Sequence, residues 1–132
     1  MMAENYCYFH YVRQWRQLVG QGKLGPVYYA EAEYVHEIED RLINAATGEY
    51  YWRHERPPIW YCAHCLGPLL TLMDDRIVAA SGSHAGFHKR PEQADHLGFL
   101  DMEIGLFRTR KGAIIKIARS QVAPRYPHMV YY

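Results

Sequence analysis

Apolar residues at Tyr8, Tyr11, Val12, Trp15, Leu18 and Val19 recur three and four positions apart, the spacing of one face of an α-helix. Gly20 and Gly22 follow and are expected to end it. After the glycine turn the period changes to two. Tyr28, Ala30, Ala32, Tyr34 and His36 fall on one side of a strand predicted over 27–38; Val27, Tyr29, Glu31, Glu33 and Val35 fall on the other. The stretch 41–58 has no clean period and carries Gly48, Pro57 and Pro58, so it reads as loop with at most one short element. Leu66, Leu69, Leu70 and Met73 restore the helical period, and Asp74-Asp75 closes that helix before a strand predicted over 76–81. A polar, histidine-bearing stretch, 82–98, reads as a mobile loop. The run "DMEIGLFRTRKGAIIKIARSQV" is the clearest β-hairpin, turning at Lys111-Gly112.

One parallel crossover fits this order, but the hairpin favours a largely antiparallel sheet with helices on one face, an α+β fold. At 132 residues the chain is one domain long. Composition alters the picture little: 49% hydrophobic and 22% charged is ordinary for a globular chain. The exception is 12 tyrosines, which suit strands, and also suit carbohydrate pockets and subunit interfaces because each ring pairs an apolar body with a polar tip.

A formal net charge of +1 with no basic block argues against nucleic acid or an anionic membrane as partner. The most basic stretch, Arg108-Thr109-Arg110-Lys111, is expected to be a solvated hairpin end. The chain shows no membrane-length apolar run and no charged-then-apolar leader. Three cysteines form no closed disulfide framework, so a reducing cytoplasm is the expected compartment. Phosphate-cradling glycine motifs and the G-x-S-x-G hydrolase elbow are absent from the sequence.

The chemistry concentrates in "YCAHCLGP", residues 61–68. Cys62, His64 and Cys65 form a C-x-x-C frame around a histidine. A structural zinc site needs a second ligand pair at a distance, and the only other cysteine is Cys7. A redox pair needs an exposed first cysteine at a helix N-terminus within a thioredoxin-like context, which is not present. Packing is the simplest role for the two cysteines. His64 reads differently. Pro68 is tolerated in a first helical turn, so a helix starting near Cys65 would put His64 at its mouth, where the dipole favours the neutral imidazole of a general base. A kinked helix starting near Ile59 would instead set Tyr61 and His64 on one face. Either arrangement lets the two converge, with Cys62 and Cys65 turned to the apolar side. A hydrogen-bonded structural role for His64 stands beside both.

Those residues resemble a family. "ENYCYFHYVRQWRQLVGQGKLGPVYYAEAEYVH" is similar to the segment that follows the cofactor domain in Gfo/Idh/MocA-type NAD(P)-dependent oxidoreductases. "YCAHCLGPLL" resembles the Tyr-x-x-His-x-L-G-P form of the branch that includes NAD-dependent glycosidases. "LFRTRKGAIIKIARS" and the closing "YPHMVYY" resemble later strands of the same domain, and "MMAENY" the passage out of the nucleotide domain.

The resemblance implies a dihydrodipicolinate-reductase-like C-terminal domain. On that basis residues 1–132 form one truncated catalytic and substrate-binding domain of a larger two-domain enzyme, without its Rossmann domain. It implies NAD or NADP in the parent and none held by this chain, a sugar or cyclic polyol as substrate, and a homo-oligomer formed through the open sheet. It makes His64 the base, Tyr61 its proton relay or alkoxide stabiliser, and Trp52, Arg53 and Trp60 pocket-lining residues. Most sugar dehydrogenases of the family carry an aspartate four residues before the histidine. Trp60 stands there instead, which moves weight toward transient oxidation followed by glycosidic elimination. A non-catalytic interaction module, its tyrosine-rich sheet pairing with another copy, is the alternative from a different class.

Overall fold

The computed structural model describes residues 4–123 and 128–131. Met1, Met2 and Ala3 of "MMAENY", and Tyr126, Pro127 and Tyr132 of the closing segment, lie outside the described residues. A short 3-10 turn, Asn5–Tyr8, leads into helix α1 (His10–Gly20). Strands β1 (Tyr29–Val35) and β2 (Ile77–His84) flank helix α2 (Ala63–Met73); β3 (Glu103–Thr109), β4 (Ile114–Ser120) and β5 (His128–Tyr131) follow. The sheet order is β2-β3-β4-β1-β5, antiparallel except for the parallel β1–β4 pair. This is the largely antiparallel α+β architecture expected from the pattern, with the one parallel crossover that the element order allowed.

The core lies between the sheet and α2. Ala30 and Ala32 on β1, Ile115 and Ile117 on β4, and Cys65, Leu69 and Met73 on α2 are buried together. The small alanines let the helix approach the centre of the sheet, and the β-branched isoleucines fill the space beside them. On α1, Val12 is fully buried and Tyr11, Trp15, Leu18 and Val19 are partly covered, the stripe expected from the spacing. Tyr8 is the exception: it belongs to the preceding turn and is exposed.

Three boundaries differ from expectation. Strand β1 is shorter than 27–38 because its pairing with β4 runs only from Tyr29–Ile114 to Val35–Ser120. Strand β2 runs on through His84, inside the expected loop, because residues 80–84 pair in register with Glu103–Phe107 of β3. Gly82 permits that pairing: a Cβ there would sit 2.7 Å from the Ile104 carbonyl oxygen. The rest of the stretch is also structured. Two 3-10 turns, Pro91–Gln93 and Leu97–Phe99, interrupt it, and Lys89 and Arg90 form ion pairs with Glu39. Third, the loop 41–58 holds a 3-10 turn, Trp52–Glu55, followed by a second, Pro58–Tyr61, that feeds α2 directly. The hairpin matches its reading, with Gly112 supplying the positive φ of 96° at the turn.

Candidate functional site

Helix α2 begins at Ala63, so Pro68 lies in its interior rather than its first turn. A proline there has no N–H to give the carbonyl four residues back, and that carbonyl belongs to His64. The Tyr131 hydroxyl on β5 takes the vacancy, donating to the His64 oxygen at 2.6 Å. Burial pushes the Tyr131 phenol well above its usual range, so it remains a donor at ordinary pH.

The imidazole is held from every side. Both Glu4 carboxylate oxygens lie 2.8 Å from Nδ1. The Tyr61 hydroxyl is 3.1 Å from Nε2. Tyr6 stacks on the ring with centroids 4.1 Å apart. A carboxylate only accepts, so Nδ1 carries the proton and Nε2 presents its lone pair to the Tyr61 O–H. Gly67, one turn along the same face, makes room for Glu4: a Cβ on Gly67 would stand 2.7 Å from Glu4 Cγ and 3.1 Å from Cys7 Sγ. The Leu-Gly-Pro part of the motif thus has a local purpose. Its glycine admits the carboxylate, and its proline frees the carbonyl.

Tyr61 also lines a cleft at the C-terminal end of β1. Tyr34, His36 and Ile38 come from β1 and the chain just after it, with Arg119 and Gln121 from the end of β4. Arg41, Trp52, Arg53, Arg56, Pro57 and Trp60 come from the intervening turns. The fold therefore brings Trp52, Arg53, Trp60 and Tyr61 to one cavity. His64 does not line it; the imidazole sits behind Tyr61, its side chain 16% exposed.

Arg119 is the floor of the cleft, 1% exposed. Its Nη1 donates to the carbonyls of Tyr34 and Ser120, both at 2.8 Å, and its guanidinium lies 4.3 Å from the Tyr34 ring centroid. Its Nε is buried with no partner among the described residues. The Tyr34 hydroxyl is 3.1 Å from His36 Nδ1. Burial, then the Arg119 and Arg41 charges, lower the His36 pKa.

The two motif cysteines face the other way. Cys65 is fully buried in the main core, where burial raises its thiol to about 12; Cys62 packs at the edge of the same cluster and is also raised by burial. The cysteines are free thiols, and no group of three metal-ligating side chains comes together among the described residues.

Sequence reasoning missed Glu4, Tyr6, Tyr34, His36, Arg41, Arg56 and Arg119. Tyr34 and His36 share a strand face with Ala30 and Ala32, a usable signal. Glu4 lies 60 positions from His64, and nothing local to either residue announces the pair.

No family model matches the chain. A glycosyl hydrolase family 109 protein from Akkermansia muciniphila is 30% identical over 95% of this chain and 30% of its own length. Among solved structures, the scyllo-inositol dehydrogenase of Lactobacillus casei, with NAD(H) and scyllo-inositol bound, superposes on 99% of this chain and 38% of its own. The TM-score is 0.78 at 13% identity. The myo-inositol 2-dehydrogenase of Lactobacillus plantarum gives a TM-score of 0.74 at 14% identity, covering 98% of this chain and 40% of that one. An inositol dehydrogenase homologue from Azotobacter vinelandii, complexed with NADH and myo-inositol, gives 0.71 at 19% identity over 96% and 32%. The chain thus spans less than half the length of each of these relatives. Among the described residues, no helix is long and apolar enough to cross a membrane. With the Tyr-x-x-His-x-L-G-P segment, the sheet order and these likenesses in agreement, the chain has the fold of the C-terminal domain of Gfo/Idh/MocA-type oxidoreductases.

Proposed function

We propose that this chain is the substrate-binding and proton-transfer domain of a larger two-domain NAD(P)-dependent oxidoreductase acting on a sugar or cyclic polyol. One observation carries the reading. Tyr61 faces the cleft while its hydroxyl meets His64 Nε2, and Glu4 holds the opposite nitrogen.

Oxidising a secondary alcohol removes a hydride from carbon and a proton from oxygen; a nicotinamide held by the rest of the parent enzyme would supply the hydride acceptor. The described residues offer no glycine-rich strand–turn–helix to hold a dinucleotide, so the fit of this chain to the cofactor is poor and its own residues account for the proton alone. The Tyr61 oxygen accepts the substrate proton as its own proton passes to Nε2. The resulting imidazolium is stabilised by Glu4 through Nδ1. His64 is thus the proton acceptor and Tyr61 the relay in contact with substrate. Trp52 and Trp60 supply apolar faces for the C–H side of a sugar ring, and Arg53 a donor for its oxygens.

The 30% identity to a family 109 glycosyl hydrolase, with Trp60 four residues before His64, favours a second reading. There, transient oxidation acidifies the neighbouring C–H and the same relay drives elimination of the glycosidic group. The exposed face of the sheet, with Tyr29, Leu106 and Ile114 uncovered, suits a homo-oligomer contact. The test is reduction of NAD+ or NADP+, followed at 340 nm, by the full-length protein with a panel of inositols, hexoses and glycosides. Turnover of a polyol or hexose supports oxidation, and glycoside cleavage that requires the cofactor supports elimination. Neither activity across the panel rejects the proposal.

A further inference from the structure

We propose that the cleft selects a sugar ring bearing an anionic group, a carboxylate or a phosphate. The proposal rests on the reading of the cleft as a sugar site and adds the charge of what it takes.

Four arginines line the cavity, Arg41, Arg53, Arg56 and Arg119, with no carboxylate among the lining residues. None of the four forms an ion pair among the described residues. Outside the cleft, Lys89 and Arg90 share Glu39, and Lys116 meets Glu31. Carboxylates act on the lining from outside it: Glu37 and Asp40 on His36, and Glu103, the cross-strand partner of Arg119, on that guanidinium.

Two of the arginines are held in place. The Arg53 guanidinium lies 4.4 Å from the Trp52 ring centroid and that of Arg56 5.2 Å from Trp60. Stacking on an indole restrains the planar fork without using its N–H donors. Arg119 contributes a buried Nε with no acceptor among the described residues, and a buried donor left unmatched is costly.

The donor balance points the same way. A neutral polyol brings a donor and acceptors at every hydroxyl and needs acceptors in return. This lining has few: the Tyr34 and Tyr61 hydroxyls, the Gln121 amide and the His36 ring. Arginine only donates, and an acceptor-only anion is the complement of a lining so rich in donors. The positive field is also felt inside the cleft, where Arg119 and Arg41 oppose protonation of His36.

The test is calorimetric titration of the purified protein, without cofactor and at low salt, with D-glucuronate, D-glucose 6-phosphate, D-glucose and inorganic phosphate. At least one anionic sugar is expected to bind about tenfold or more tightly than glucose, as charge-assisted hydrogen bonds imply. That preference should shrink several-fold in 0.3 M salt. Arg56→Gln, and independently Arg53→Gln, should each weaken the anionic sugar about tenfold at an unchanged circular dichroism spectrum. The tighter of glucuronate and glucose 6-phosphate identifies the group. Equal affinity for glucose, no binding of either anionic sugar, or inorganic phosphate binding as tightly as glucose 6-phosphate would each overturn the proposal. Binding is read without turnover. Anion preference in a protein lacking NAD(P)-dependent activity would therefore reject the redox reading and leave this inference standing.

Discussion

Gly67→Ala isolates the packing that delivers Glu4 to His64. In a helix interior this change ordinarily stabilises by about 1 kcal/mol, because glycine loses more backbone freedom on folding. Here the added methyl would meet Glu4 Cγ at 2.7 Å and Cys7 Sγ at 3.1 Å. The first contact is closer than a real Cβ allows and the second is tight, so the Glu4 side chain must move and Cys7 must give by a few tenths of an ångström. Overpacking of this kind costs about 1–3 kcal/mol. The shift also pulls Glu4 from Nδ1, a partly buried charge-assisted hydrogen bond worth about 1.5–3 kcal/mol. Against the helical gain, a net loss of about 1.5–5 kcal/mol is expected. Urea denaturation gives the stability, and 15N-edited spectra of the imidazole report which nitrogen is protonated. A variant stabilised by the full helical gain of about 1 kcal/mol, with the Nδ1–H tautomer intact, would refute the reasoning.

Tyr61→Phe removes only a hydroxyl from a half-exposed ring, so full-length turnover should fall about 10²-fold with stability within about 0.5 kcal/mol, checked by kinetics beside thermal melts. Arg119→Met leaves the Tyr34 and Ser120 carbonyls without their donor and should cost about 2–4 kcal/mol by chemical denaturation. The Cys65 thiol is raised from 9.0 to about 12, so the folded chain keeps a proton there that the unfolded chain loses first. That contribution to stability is complete below about pH 9 and is lost as pH rises toward 12, by at most about 1.4 kcal/mol per unit. Cys65→Ala should flatten that part of the stability–pH curve, and in the native protein Cys65 should resist thiol reagents at pH 8 until denaturant is added.

The parts of the fold governed by local periodicity were legible in the chain. The α1 stripe, the alternation through Ala30 and Ala32, and the hairpin turning at Gly112 each carry their signal within a few residues. The extension of β2 to His84 was not, because it is set by a partner strand and by the close approach at Gly82, and its own sequence is polar. The sequence leaves the start of α2 open between Cys65 and Ile59 for a related reason. A proline inside a helix is tolerated here only because Tyr131, from the far end of the chain, satisfies the carbonyl it frees. At the site, Tyr61 and His64 could be paired from their spacing, and the two tryptophans and Arg53 fall where a cleft forms. Glu4 and Arg119 come from opposite ends of the chain, and only the tertiary fold joins them to the motif.

The most direct test of the Glu4–His64–Tyr61 relay is the turnover of full-length protein carrying His64→Ala, compared with Glu4→Gln, at matched thermal stability and saturating cofactor and substrate. The account predicts a loss of about 10²-fold or more for His64→Ala, a smaller loss for Glu4→Gln, and a substrate KM changed little by either, since neither residue lines the cleft. Unchanged kcat in a folded His64→Ala protein would contradict it and leave His64 a structural residue.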